Sequence, residues 1–295
     1  MTIQDRGIEL HRLDTGDLLR LLQQADVEAL AAAHAVTGQI EELVETVVER
    51  WPRGGRLIWV GAGTSGRIGA LDAAECSPTF GLPDGRVLAL VAGGERALAR
   101  AVEQAEDSEE GGAAAIAAHE VGEADVVVCL SASGSTPFTC AALEEASRRG
   151  AATAAVTCAP DGRLARAAAL VLVLPTGPEL IDGSTRMKAG TAQKLVCNAI
   201  STAAFVRLGR VWGRHMVAVR TSSDKLRRRA AGILQQLTAC PDQESARRLL
   251  ERAGDDLPTA LVMGRAGVDR EAAAALLQRC NGDLHAALEM AGVAP

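Results

Sequence analysis

The chain has no tyrosine, and three phenylalanines with three tryptophans bring its aromatics to only 2% of 295 residues. No tyrosine can therefore act in any chemistry this protein performs. A surplus of positive charge is missing too. Lysine and arginine number 31 against 37 acidic residues, a formal net charge of −6, which argues against nucleic acid as the main partner. No sustained apolar run approaches the ~18 residues of a membrane span. The opening Met1-Thr2-Ile3-Gln4-Asp5-Arg6 carries no apolar signal core. The expectation is a cytoplasmic protein that neither crosses nor rests on a membrane. Paired cysteine motifs are absent as well. Cysteines 76, 129, 140, 158, 197, 240 and 280 form no C-x-x-C pair, and an odd, scattered set reads as reduced, buried thiols. Five isolated histidines show no ligand spacing, so no metal is expected.

What is present is alanine and periodicity. Hydrophobic residues make up 48% of the chain, much of it alanine, which points to tightly packed helices and not to a β-sandwich. The length allows one large or two modest domains. Residues 8–51 read as helical: Leu13-Asp14-Thr15-Gly16-Asp17 supplies caps, and Ile40, Leu43, Val44, Val47 and Val48 keep a 3–4 spacing. Pro52-Arg53-Gly54-Gly55 stops that run. Short, nearly continuous apolar runs follow at 56–60, 86–91, 125–130, 152–158 and 169–174, as parallel strands covered on both faces require. Helical stretches at 64–75, 94–104, 109–119, 137–148 and 161–167 separate them. The alternation predicts an α/β fold, a doubly wound three-layer sandwich around a mostly parallel five-stranded sheet. Ser184 to Leu208 reads as one long helix, and the basic run Lys225–Arg229 as a solvated helix face. Past residue 238 the strands vanish. Asp242 and Asp269 as N-caps, Pro258 as an N1 proline, and Gly254 and Gly282 as stops predict a small bundle of three or four helices over 241–295. The expected division is a helical segment at 1–50, a ligand-binding domain at 51–238 and the bundle, vaguely like a ubiquitin-associated module, at 239–295.

Three stretches carry chemistry. Gly61-Ala62-Gly63-Thr64-Ser65-Gly66 follows the first strand and opens a helix. Its unpaired N–H groups and the helix dipole converge on one spot, which makes an anion site. The glycine spacing also fits a dinucleotide turn, a weak signal that remains open. Thr64 and Ser65 add hydroxyl donors that suit a small terminal phosphate better. A second cradle, Ser131-Ala132-Ser133-Gly134-Ser135-Thr136-Pro137, follows the third strand and offers hydroxyls at Ser131, Ser133, Ser135 and Thr136. A third group, Ser184, Arg186 and Lys188, gathers at the start of the long helix, where cations oppose the helix dipole. That conflict points to a bound anion or a partner subunit. Glu75 and Glu106 are the acid–base candidates. Glu75 lies near Phe80 in sequence, and an apolar neighbour there would raise its pKa toward general-acid duty.

These stretches together resemble the sugar-isomerase (SIS) domain, a phosphosugar-binding α/β fold. More narrowly, Leu71–Gly81, Val102–Ser108 and Gly183–Leu195 are similar to the N-acetylmuramic acid 6-phosphate etherases. The resemblance extends over essentially the whole chain, and its 183–195 segment is far more specific than the glycine turn. It implies a cofactor-independent lyase of peptidoglycan recycling. Such an enzyme cleaves the D-lactyl ether at C3 of N-acetylmuramic acid 6-phosphate by elimination across C2–C3, then adds water. By motif position, the resemblance implies that Glu75 protonates the departing lactate oxygen and that Glu106 takes the C2 proton. Thr64, Ser65, Ser131, Ser133, Ser135 and Thr136 would hold phosphate and sugar. Ser184, Arg186 and Lys188 would complete the pocket, at or near the interface of a homodimer. Ala74 and Ser77 depart from the family's usual Ser and Pro and touch only local loop geometry. A phosphosugar-sensing regulator and a sugar-phosphate isomerase remain as rivals, and the two glutamates weigh for an etherase over a sensor.

Overall fold

The computed structural model describes residues 9–100, 102–219, 221 and 223–293; the ends of the expected terminal segments, at 1–8 and 294–295, lie outside them. Two compact units emerge, one comprising residues up to Ala74 with Gly85–Ser201, the other Glu75–Asp84 with the chain from Thr202 onward. Along the chain the units change at 74/75, 84/85 and 201/202, and the amino-terminal helices fall in the unit that holds the sheet.

In the first unit, α1 (Thr15–His34) and α2 (Thr37–Arg50) precede the sheet. Strands β1 (Leu57–Gly61), β2 (Val87–Val91), β3 (Val126–Leu130), β4 (Ala152–Thr157) and β5 (Leu170–Val173) alternate with α3 (Gly63–Phe80, whose residues from Glu75 on belong to the second unit), α4 (Arg96–Ala99), α5 (Glu109–Ala118), α6 (Pro137–Arg148) and α7 (Arg163–Ala167). All five strands pair in parallel in the order β2-β1-β3-β4-β5. Every residue of β1 and β3 is buried, which only a strand covered on both faces achieves. Ile58, Val60, Val127 and Cys129 face Ile116, Phe138 and Leu143 of α5 and α6, while Gly69 lets α3 lie directly against Trp59 on the opposite face. The expected three layers are therefore present.

Three helices differ from expectation: the first, α3, runs on to Phe80, past the expected end at residue 75. Among the described residues of the 94–104 stretch only Arg96–Ala99 are α-helical, with Gly93 and Gly94 ahead and Gln104 behind at positive φ. The long helix α8 (Lys188–Arg207) starts at Lys188, not Ser184, so Ser184 and Arg186 lie in the preceding loop.

The second unit holds a two-residue hairpin, β6 (Val211–Trp212) with β7 (His215–Met216), then α9 (Asp224–Leu237), α10 (Gln243–Arg252), α11 (Leu257–Ala266), α12 (Arg270–Arg279) and α13 (Leu284–Met290). Asp242, Asp256, Asp269 and Asp283 each accept backbone N–H groups as N-caps, and Gly254, Gly267 and Gly282 end helices or turns at positive φ. Leu234, Leu250, Leu261, Leu277 and Leu288 meet in its core. All seven cysteines are free thiols, and Cys76, Cys129, Cys140 and Cys197 are buried. Burial pushes the Cys129 and Cys140 thiols up. Among the described residues no helix is long and apolar enough to cross a membrane.

Candidate functional site

Strand order decides where a ligand can sit. From β1 the chain goes to β2 on one side, while β3 pairs on the other, so the order reverses between β1 and β3. Loops leaving the carboxyl ends of two such strands part and leave a crevice. Gly61 pairs with Leu130 at those ends, so the glycine turn and the serine loop are side by side.

The glycine turn is built by close approach. A Cβ on Gly61 would sit 2.8 Å from Gly66 N, and one on Gly66 would sit 2.7 Å from both Gly61 O and Val91 Cγ1. Gly63 takes φ +54°, which favours glycine, and α3 starts there. Thr64 and Ser65 are half-buried in its first turn, where unpaired helix N–H groups concentrate. Helix α8 closes on this turn. A Cβ on Gly190 would lie 3.3 Å from Thr64 Cγ2, and the Ser65 hydroxyl donates to Gln193 Oε1 at 2.9 Å.

The serine loop is a chain of hydroxyls. Ser135 Oγ donates to Ser133 Oγ at 3.2 Å, Ser133 and Ser131 Oγ atoms are 3.4 Å apart, and Ser131 Oγ lies 2.9 Å from Thr136 Oγ1. Ser131 is buried and also accepts from Gly134 N, so it anchors the loop, whereas Ser133 and Ser135 are exposed. Thr136 occupies the N-cap of α6 but makes no cap bond, its hydroxyl being engaged by Ser131; Pro137 follows at N1. The start of α6 therefore keeps its pull on an anion.

The third group separates. Ser184 is half-buried, its N–H bonded to Ile181 O, and Arg186 is exposed. Lys188 is buried, and its Nζ reaches Glu28 Oε2 of α1 at 2.8 Å. The expected conflict between cations and the α8 dipole is resolved by a carboxylate. Glu179 accepts from Lys188 N at 2.9 Å and Ala189 N at 3.0 Å, capping the helix with both oxygens. Glu179, nine residues before Lys188, left no local pattern by which to find it. Gln193 lies inside the 183–195 segment, but nothing in the sequence sets it apart.

Of the acid–base candidates, Glu106 is exposed on a single 3-10 turn, Ala105–Asp107, held by left-handed Gln104 ahead and by Ser108, which caps α5, behind. Glu75 lies twelve residues past Gly63 on α3 and is exposed. Phe80 does not shelter it: five helical residues turn the chain by about 140°, and Phe80 packs on Phe205 with centroids 5.0 Å apart. Glu75 is thus exposed, and Phe80 is not the apolar neighbour expected for it. Among the described residues no group of three or more His, Cys, Asp or Glu is placed to hold a metal ion. An open groove in the second unit, between α9 and α10, is lined by three arginines and five carboxylates and so favours no anion.

Residues 39–147 match the glucokinase regulatory protein N-terminal SIS domain, and residues 102–203 match the SIS domain. The chain is 48% identical over 262 residues to an N-acetylmuramic acid 6-phosphate etherase of Symbiobacterium thermophilum, covering 89% of this chain and 87% of the relative. Enzymes of the same name from Rubrobacter xylanophilus and Nostoc punctiforme are 46% and 44% identical, over 88% and 90% of this chain and 86% of each relative. Among solved structures, a phosphoheptose isomerase from Neisseria gonorrhoeae aligns with a TM-score of 0.50 at 16% identity, over 65% of this chain and 99% of its own, and shares the fold.

Proposed function

The chain belongs to the N-acetylmuramic acid 6-phosphate etherase family, and on that premise we propose which of its residues carry the reaction. As a carbon–oxygen lyase it cleaves the D-lactyl ether of N-acetylmuramic acid 6-phosphate, giving N-acetylglucosamine 6-phosphate and D-lactate. The observation that carries the site assignment is the adjacency of two hydroxyl-rich loops, each feeding a helix N-terminus, at the reversal of strand order. Thr64 and Ser65 hold the phosphate, and Ser133, Ser135 and Thr136 hold phosphate or sugar hydroxyls. Ser131 supports that loop from beneath. Ser184 and Arg186 reach the ligand from their loop, and Lys188 acts through its ion pair with Glu28.

In the open-chain sugar the aldehyde acidifies the C2 proton, which Glu106 removes. The electron pair forms the C2–C3 double bond as the C3–O bond breaks, and Glu75 protonates the leaving lactate oxygen. Glu75 then deprotonates a water whose oxygen adds to C3, and C2 recovers a proton from Glu106. Two carboxyl groups in opposite roles are what this sequence of transfers requires. We further propose a homodimer. Leu19, Val27 and Leu30 are exposed within about 80° of one another around α1, an apolar stripe that supports pairing. Free cysteines throughout support a reducing, cytoplasmic setting.

Incubation with N-acetylmuramic acid 6-phosphate should release D-lactate, read by a coupled dehydrogenase. Pure, folded protein that binds the sugar phosphate but releases no lactate would turn the reading toward a sensor.

A further inference from the structure

Gln193 lies in the second turn of α8 and is 1% exposed. Its Oε1 accepts the Ser65 hydroxyl hydrogen at 2.9 Å, and its Nε2 is buried with no hydrogen-bond partner. Two features of that arrangement are at odds with a phosphate cradle. A serine has one hydroxyl hydrogen, and here it points inward to Gln193, so Ser65 offers an incoming anion only lone pairs. A buried amide nitrogen without an acceptor is also a costly state, more so than an under-used carbonyl oxygen.

One motion removes both difficulties. The two ends of a carboxamide have the same shape, so a half-turn of the Gln193 amide needs no extra room. After it, Nε2 donates to Ser65 Oγ, and the Ser65 hydrogen is released to point at the ligand. We propose that Gln193 is a positioning residue that sets the polarity of the Ser65 hydroxyl: inward while Oε1 faces it, outward to a phosphate oxygen once Nε2 does. Glutamine is suited to this because it accepts and donates from the same place. An ionised glutamate only accepts, and methionine has no hydrogen to donate. The contact of Gly190 with Thr64 keeps α8 close enough for the exchange. The inference rests on the reading of Ser65 as a phosphate ligand.

Titration calorimetry with N-acetylglucosamine 6-phosphate tests it on the full chain, alongside steady-state kinetics and thermal melts. Ser65→Ala should weaken binding about tenfold, the loss of one hydrogen bond to a charged group. Gln193→Met should raise Kd and KM three- to tenfold, roughly, with kcat little changed and the melting temperature retained. Gln193→Glu should weaken binding more than Gln193→Met, because the carboxylate pins the hydroxyl inward and repels the phosphate. In the Ser65→Ala background, Gln193→Met should add nothing. Wild-type binding by both Gln193 variants, or an equal Gln193→Met effect with and without Ser65, overturns the inference while Ser65→Ala still marks the phosphate site. Wild-type binding by Ser65→Ala overturns the phosphate reading itself. Should Gln193→Met fail to fold, Gln193→Glu, of the same shape, decides alone.

Discussion

At the amino ends of the strands the polar side chains are closed upon the protein; at the carboxyl ends they are bonded mainly to one another. Arg56, just before β1, forks onto Asp125, just before β3, with Nε–Oδ1 at 3.0 Å and Nη2–Oδ2 at 2.7 Å. Asp125 also accepts from the Arg56 and Gly122 N–H groups. Arg86, just before β2, donates to Trp51 O and Gly55 O and lies 3.9 Å over the Trp51 ring, while Arg50 donates to Asp125 O. At the other end, Ser131, Ser133, Ser135 and Thr136 form a hydroxyl chain, and the Gln193 amide nitrogen has no partner. Networks satisfied internally stabilise; networks left short of partners are available to bind. The two ends of one sheet thus differ in where their polar side chains find partners.

Substitutions should separate the two. The largest effect is expected for Glu75→Gln, which removes a proton-transfer group: kcat for D-lactate release should fall about 10³-fold with the melting temperature unchanged. Near-wild-type turnover would take Glu75 out of the mechanism. Asp125→Asn, at the closed end, should do the reverse, lowering unfolding free energy by about 2–3 kcal/mol in urea titrations while kcat/KM stays level. Burial pushes the Asp125 carboxyl up, but the Arg56 fork and the backbone N–H groups outweigh it and hold the carboxyl below the usual range. The unfolded chain then binds more protons, so this stability is present above the ordinary carboxyl pKa of about 4 and fades as pH falls through the lowered value. A wild-type advantage over Asp125→Asn that persists undiminished at pH 2 would contradict the pairing.

Gly66→Ala blurs the contrast, since its Cβ meets Gly61 O and Val91 Cγ1 at 2.7 Å. It should cost about 2 kcal/mol of stability and also weaken sugar-phosphate binding, because the turn and the fold share these atoms. The smallest effect is expected at exposed Ser135. Its alanine variant should raise Kd for N-acetylglucosamine 6-phosphate by up to about tenfold without altering the melt. A larger change in stability than in affinity would move Ser135 from ligand holding to loop support.

Legibility in the sequence followed the range of the interaction. All five strands could be placed to within a residue or so, because a continuous apolar run bounded by turn residues is a local signal. The aspartate N-caps of α10 and α12 and the glycine stops were legible for the same reason. So were the two hydroxyl-rich loops, since each is contiguous and follows its strand directly. The 94–104 stretch was not: left-handed φ at Gln104 is a choice no helical pattern announces.

The chain by itself determined the α/β alternation, the two hydroxyl-rich loops, the capped carboxyl-terminal helices and the family. Tertiary structure alone decided which distant partners the polar groups of these segments meet. It buried Lys188 against Glu28, 160 residues away, turned Glu179 onto the α8 N-terminus, and set Gln193 behind Ser65, 128 residues away. Periodicity and turn chemistry act within a few residues and so can be read along the chain. The polarity of a hydroxyl depends on what packing places behind it, and that neighbour comes from another part of the fold.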